Sequence, residues 1–209
     1  AAYEPDLARS LSNLGIRLSE VGRRAEALTV TEQAVEIRRR LAAGNPAAFE
    51  PDLASAMNNL GFQLSEVGRR AEALTVTEQA VAVYRRLAAD NPAAFEPDLA
   101  VSLSNLGAFL SEMGERAEAL TVTEQAVAVY RRLAADNPAA YEPDLASVMN
   151  NLARVYEAAG DREGAIRLYE RTLADSIRLL GVDHPYTLYA RNNLALVQSE
   201  AGDAAGAAD

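Results

Sequence analysis

Glu50-Pro51-Asp52-Leu53-Ala54, followed by Met57-Asn58-Asn59-Leu60-Gly61-Phe62-Gln63-Leu64, Gly68 and the run from Ala71 to Ala94, decides the fold because it comes back in register. The string Glu-Pro-Asp-Leu-Ala starts at Glu4, Glu50, Glu96 and Glu142, so successive starts are 46 residues apart. Ala71 to Ala94 recurs unchanged as Ala117 to Ala140, whereas the unit opened by Glu142 has diverged along most of its length. A fixed period of this size marks a repeat array, in which each unit is one supersecondary element that must stack on its neighbours to bury an apolar face.

Inside the first unit, Leu7, Leu11, Leu14, Leu18 and Val21 recur at helical steps and predict an apolar stripe along a first helix, A. Pro5 suits the first turn, where its missing N–H costs nothing, and Glu4 and Asp6 sit at the positive end of the dipole. Gly22 stops the helix. A second stripe, Ala27, Val30, Ala34, Ile37 and Leu41, predicts a helix B that closes at Asn45-Pro46, since the residue before proline is pushed out of the helical region. Each unit is expected to be a helical hairpin. The predicted class is all-α, a right-handed superhelical solenoid of antiparallel hairpins with helix A lining one surface. Small residues at Gly15, Ala27 and Ala34, repeated as Gly61, Ala73 and Ala80, let the two helices approach closely.

Composition removes several functions. Lys+Arg 20 against Asp+Glu 30 gives a net charge of −10, which repels phosphate backbones and anionic headgroups, so neither nucleic acid nor membrane is expected as a partner. With Cys 0 there is no disulfide framework, thiolate nucleophile or Cys-ligated zinc, and with His 1 no His-rich metal site. No apolar run is long enough to span a bilayer and Ala1-Ala2-Tyr3-Glu4 has no leader character, so a soluble cytoplasmic location is expected. The first residue is not Met and a helix B should follow Gly202, so the chain has the look of a piece cut from a longer array.

The pattern Leu11-x-x-Leu14-Gly15-x-x-Leu18, then Gly22, then Ala27-x-x-x-Thr31-x-x-Ala34, resembles the tetratricopeptide repeat, as do Met149, Leu152, Ala153, Tyr156, Gly160, Ala165 and Tyr169 in the fourth unit. Trp is absent, and Thr31, Thr77 and Thr123 stand where such repeats carry an aromatic. Leu180-Gly181-Val182-Asp183-His184-Pro185 with Asn192-Asn193-Leu194-Ala195 resembles the 42-residue variety of kinesin light chains and of bacterial multidomain signalling proteins. The resemblance implies repeats over 4–49, 50–95, 96–141 and 142–184 and a partial repeat, helix A only, over 185–209. It also implies that the first three units carry about four extra residues in the loop around Asn45-Pro46-Ala47-Ala48.

If helix A lines a groove, the most regular residue facing it is the Asn before each motif Leu: Asn13, Asn59, Asn105, Asn151 and Asn193. A side-chain amide offers a donor and an acceptor, so such a ladder can pair with the backbone of an extended peptide whatever its sequence. In the arrays this chain resembles, asparagines at this place do that; capping or bridging between stacked helices would produce the same repetition. The same face should present Asn58, Asn150 and Asn192 one residue earlier, Phe62 and Arg154 two residues after the Leu, and Glu66 and Glu112 one turn further. Arg9 and Arg154 are the only cations expected there, so the groove lacks the basic clamp with which chaperone-binding members of the family hold a terminal carboxylate. A neutral to basic peptide or partner helix is the expected ligand, with no cofactor, metal or catalysis. Two other roles fit the same groove: restraint of another domain of a longer parent chain, and reception of a short signalling peptide. His184 is expected to be a linker residue, and the runs Arg38 to Arg40, Arg85-Arg86 and Arg131-Arg132 a solvated face paired with Glu32, Glu36 and Glu78. End-to-end self-association is expected from apolar end faces.

Overall fold

The computed structural model describes the backbone of residues 3–206 and the side chains of residues 3–199. All regular structure among them is α-helical: α1 (Glu4–Glu20), α2 (Arg24–Gly44), α3 (Pro46–Glu66), α4 (Arg70–Asp90), α5 (Pro92–Met113), α6 (Arg116–Asp136), α7 (Pro138–Ala158), α8 (Arg162–Leu180) and α9 (Pro185–Gly206). The helices form two compact units, one ending at Met113 and the other beginning at Gly114. In the first, α1 to α5 pack each on the next; in the second, α6 to α9 do the same. No described helix is long and apolar enough to cross a membrane.

The turn from helix A to helix B is built the same way in both units. Gly22 takes φ +76°, its N–H donates to the Ser19 carbonyl and the Arg23 N–H to the Leu18 carbonyl, the pair of hydrogen bonds that closes a helix through a left-handed residue. Gly68 and Gly160 repeat it, at φ +81° and +87°.

The B-to-A connection differs from the expectation. Pro46 does not sit in a loop but opens α3, and the extra residues form an additional N-terminal turn that leaves Asn45 as the one non-helical residue. Asn45 is extended (φ −148°, ψ 83°), as a residue before proline must be, and its side chain accepts from the Ala48 N–H at 3.4 Å. Pro51 therefore lies inside α3, where it has no N–H to donate, and the Tyr84 hydroxyl donates to the Pro51 carbonyl at 3.3 Å. The lengthening of the unit is thus a lengthening of helix A.

The core of the first unit joins Leu28 and Val35 of α2, Met57, Leu60 and Leu64 of α3, Val76 and Tyr84 of α4 and Phe109 of α5. Ala27, Ala34, Ala73 and Ala80 are fully buried, as their small size at the helix crossing predicts. The stripe expected on α1 is only partly buried. Leu18 is covered, but Leu7 and Leu14 are 51% and 47% exposed, whereas Leu60, the counterpart of Leu14 one period on, is 8% exposed. The cause is geometric: Leu60 rests on α2, and α1 has no described helix on that flank.

Candidate functional site

In the first unit the A helices leave a groove of about 580 Å³ lined by Ile16, Ser19 and Glu20 of α1, Arg24 of α2, Asn58, Asn59, Phe62, Gln63 and Glu66 of α3, and Asn105 of α5. Asn59 and Asn105 are half-buried on its wall, and Phe62 is 54% exposed. Asn13, from the same ladder position, is exposed on α1.

Asn58 has a different job from its neighbour. Its Nδ2 donates to the Ser102 hydroxyl at 2.6 Å, and that hydroxyl donates to the Asp98 carbonyl at 2.8 Å, so the amide ties α3 to α5 and its orientation is fixed by the chain of donors. Asn58 Oδ1 is left buried without a partner, and so is Gln63 Oε1, on a residue only 4% exposed. The groove floor therefore carries two unsatisfied acceptors. A buried acceptor without a donor costs about 1–3 kcal/mol.

The rim is less acidic than the sequence suggests. Glu66 accepts from the Ser19 hydroxyl at 3.4 Å and pairs with Arg24 at 3.3 Å; Glu112 accepts from Ser65 at 3.3 Å and pairs with Arg70 at 3.4 Å. The two sets are equivalent by one period. Arg24 and Arg70 are cations that sequence reasoning missed at this rim, because they belong to the first turn of helix B and come to helix A only through the tight glycine turn. Glu20 accepts from Arg17 at 2.8 Å.

In the second unit, Asn151 and Asn193 are half-buried, Asn192 and Arg154 exposed. Asn150 is 1% exposed, so it faces the interior of α7's packing rather than an open surface, and neither of its polar atoms has a partner. Ser176, on α8 at the position where Arg38 of α2 bonds Ser12 at 2.6 Å, also has a buried hydroxyl without a partner. One face of repetition in the sequence thus splits into three environments: groove wall, inter-helix bridge and interior.

The arginine runs are not the uniformly solvated face that was expected. Arg38 is 9% exposed, and burial pushes its pKa down. Arg40 pairs with Glu4 at 3.4 Å and Arg86 with Glu50 at 2.6 Å, so in the first two repeats the glutamate that opens the motif clamps the B helix of its own hairpin. Glu32 pairs instead with Arg69, which also holds Glu72 through two bonds of 2.6 and 2.5 Å. His184 caps α9: its Nδ1 accepts from the Tyr186 N–H at 3.3 Å and its ring stacks on Tyr186 at 5.5 Å. Among the described residues no group of three or more His, Cys, Asp or Glu is placed to hold a metal ion.

Profiles of the tetratricopeptide repeat match residues 7–44, 52–132 and 144–209. The chain belongs to the tetratricopeptide repeat family. No curated protein sequence matches it significantly. Among solved structures, the nearly identical TPR-like repeats of a kinesin light chain from Podosopora anserina are similar over 96% of this chain and 89% of that one, with a TM-score of 0.75 and 25% identity. BtubC (BKLC) from P. vanneervenii shares the fold over 83% of this chain and 65% of its own, at TM-score 0.63 and 22% identity. Aspartyl phosphate phosphatase F from Bacillus subtilis shares it over 95% and 47%, at TM-score 0.72 and 14% identity. The tetratricopeptide repeat assignment accounts for the hairpins, the glycine turns and the buried alanines together.

Proposed function

We propose that this tetratricopeptide repeat chain is a non-catalytic protein-interaction scaffold whose first unit takes an extended peptide or partner helix along the A helices. The observation that carries this reading is the groove itself, in which the ladder amides Asn59 and Asn105 stand half-buried beside the open ring of Phe62. Side-chain amides offer donors and acceptors to an extended backbone, and a lining with two carboxylates, Glu20 and Glu66, against one guanidinium, Arg24, suits a neutral to basic segment. Phe62 and Ile16 supply apolar contacts between them. The similarity to kinesin light chain repeats supports a protein ligand in kind, and Glu66 and Glu112, already neutralised by Arg24 and Arg70, hold the groove wall rather than attract charge from afar.

Selection of random extended peptides on the folded chain tests this. Binders should be enriched in Lys, Arg, Asn and Gln, and should lose affinity when Asn59 and Asn105 are both replaced by Ala. Binders rich in Asp and Glu that ignore the two substitutions would refute the groove assignment.

A further inference from the structure

We propose a second binding site on the opposite helices: a cationic groove between α6 and α8 that takes a short acidic peptide segment. The groove encloses about 440 Å³; α6 and α8 form its walls and α7 its floor. Val127 and Leu152 provide a buried apolar base with Leu168 beside them, and Arg131, Arg167 and Arg171 project from the walls. Arg167 is partly used, at 3.5 Å from Glu163, and Tyr156 donates to Glu124 at 3.1 Å at the same end. Arg131 and Arg171, further along their helices, form no ion pair among the described residues.

The equivalent groove of the first unit shows that this charge is not a by-product of the fold. There, at about 400 Å³, Arg39 and Arg69 are balanced by Glu32, Glu36 and Glu72. Two periods on, Glu36 has become Ala128, Glu72 has become Gly164, Thr75 has become Arg167 and Gln79 has become Arg171, while Arg69 has become Asp161, whose carboxylate accepts from the Gly164 N–H at 2.8 Å. The ionisable lining passes from three carboxylates and two guanidiniums to one and three. In a chain of net charge −10, two unpaired guanidiniums over an apolar floor are a local inversion of sign. Guanidinium meets carboxylate through paired N–H donors, and the apolar floor with Tyr156 suits the side chain between two acids. From Glu124 to Arg131 the wall is about 10 Å long at 1.5 Å per residue, room for three or four extended residues. A nucleic acid or other long polyanion would have to lie against the rest of an acidic surface, so a short acidic peptide is the occupant the charges favour.

The test uses fluorescein-labelled Ala-Glu-Leu-Glu-Ala and its Ala-Gln-Leu-Gln-Ala analogue, with binding to the full chain read by anisotropy at low salt. The acidic peptide should bind at least tenfold tighter, and added salt should erase the preference. Replacing Arg131 and Arg171 by Gln should abolish the preference with the far-UV spectrum unchanged, whereas the Arg131→Lys, Arg171→Lys pair should keep most of it. Replacing Asn59 and Asn105 should leave it alone. Equal binding of the two peptides, a preference that survives the Gln pair, or displacement by an oligouridylate of equal charge at equal concentration would each overturn the proposal.

Discussion

Gly61 is where the packing makes its sharpest quantitative demand. A Cβ built there would lie 2.3 Å from Thr77 Oγ1 and 3.4 Å from both the Ala73 carbonyl and the Phe109 ring. Thr77 is fully buried and its hydroxyl has no partner, so it can neither swing into solvent nor lose a hydrogen bond by moving. The contact is about 1 Å inside ordinary separation, and overpacking of that kind costs about 1–3 kcal/mol, against about 1 kcal/mol returned by the better helix propensity of Ala. Gly61→Ala should therefore destabilise the chain by up to about 2 kcal/mol. Thr77→Ala removes a buried methyl, worth about 1 kcal/mol, and also an unpaired hydroxyl oxygen of similar cost, so it should be close to neutral. The double variant should be at least as stable as the original, because the new Cβ occupies the space vacated by the hydroxyl. Two periods on, Ala153 stands at the glycine position opposite Tyr169, whose Cβ carries no hydroxyl, and both are buried. Urea titration followed by far-UV ellipticity and by Tyr emission gives the four stabilities. A coupling within about 0.5 kcal/mol of zero would refute the argument, since independent sites add to that precision.

Replacing Asn59 and Asn105 by Ala should weaken a groove peptide by about 1 kcal/mol per lost bond with little change in the urea midpoint, whereas Asn58→Ala, which cuts the bridge to Ser102, should lower that midpoint. The hydrogen bonds from Arg69 hold the Glu72 carboxyl below the usual carboxylate range, so its contribution is present above about pH 4.3 and fades as pH falls through the folded value; Glu72→Gln should show a stability deficit at pH 7 that vanishes in strong acid. Exposed Leu7 and Leu14 on α1 and Leu188, Tyr189 and Leu196 on α9 should make this chain associate as concentration rises, more so with added salt that screens a net charge of −10; sedimentation showing a monomer at every salt and concentration would contradict this.

The fold was legible because the signals that build it are local and repeated. Gly22, Gly68 and Gly160 mark the left-handed turns, and the alanines of helix B mark the closest approach, each stated by a single residue type at a fixed spacing. The start of helix A was misplaced for an equally local reason. Asn45-Pro46 and Pro51 are both breaking signals, and only tertiary packing, with Tyr84 placed to use the Pro51 carbonyl, decides that the second proline is carried inside a helix. The site was legible only as a register. Asn58 and Asn59 look alike on paper, yet one ties two helices together and the other lines a groove, because adjacent residues on a helix point about 100° apart.

The same property explains why the cationic groove escaped a reading of the sequence. Arg131 sits in a run that looks like the paired arginines of the earlier units, and Arg167 and Arg171 sit in the diverged fourth unit among Glu163 and Glu170. Pairing along one helix suggested a neutral surface. The deciding comparison runs across helices, where Gly164 and Ala128 stand in place of two carboxylates that neutralise the equivalent groove of the first unit. A repeat scaffold fixes the backbone of every groove alike, so charge at one of them can change through substitutions that leave the packing untouched: Gln79 and Arg171 occupy the same wall, and neither is part of the buried core. The concave wall is constrained in the opposite way. Gln63 and Ser102 there are buried and Asn58 half-buried, and the Asn58–Ser102 bond holds α3 to α5, so substitutions at these positions also alter the packing. Asn58→Ala should therefore move the urea midpoint, whereas the Asn59, Asn105 pair at the first groove and the Arg131, Arg171 pair at the second should leave it nearly unchanged when replaced by Ala and Gln respectively.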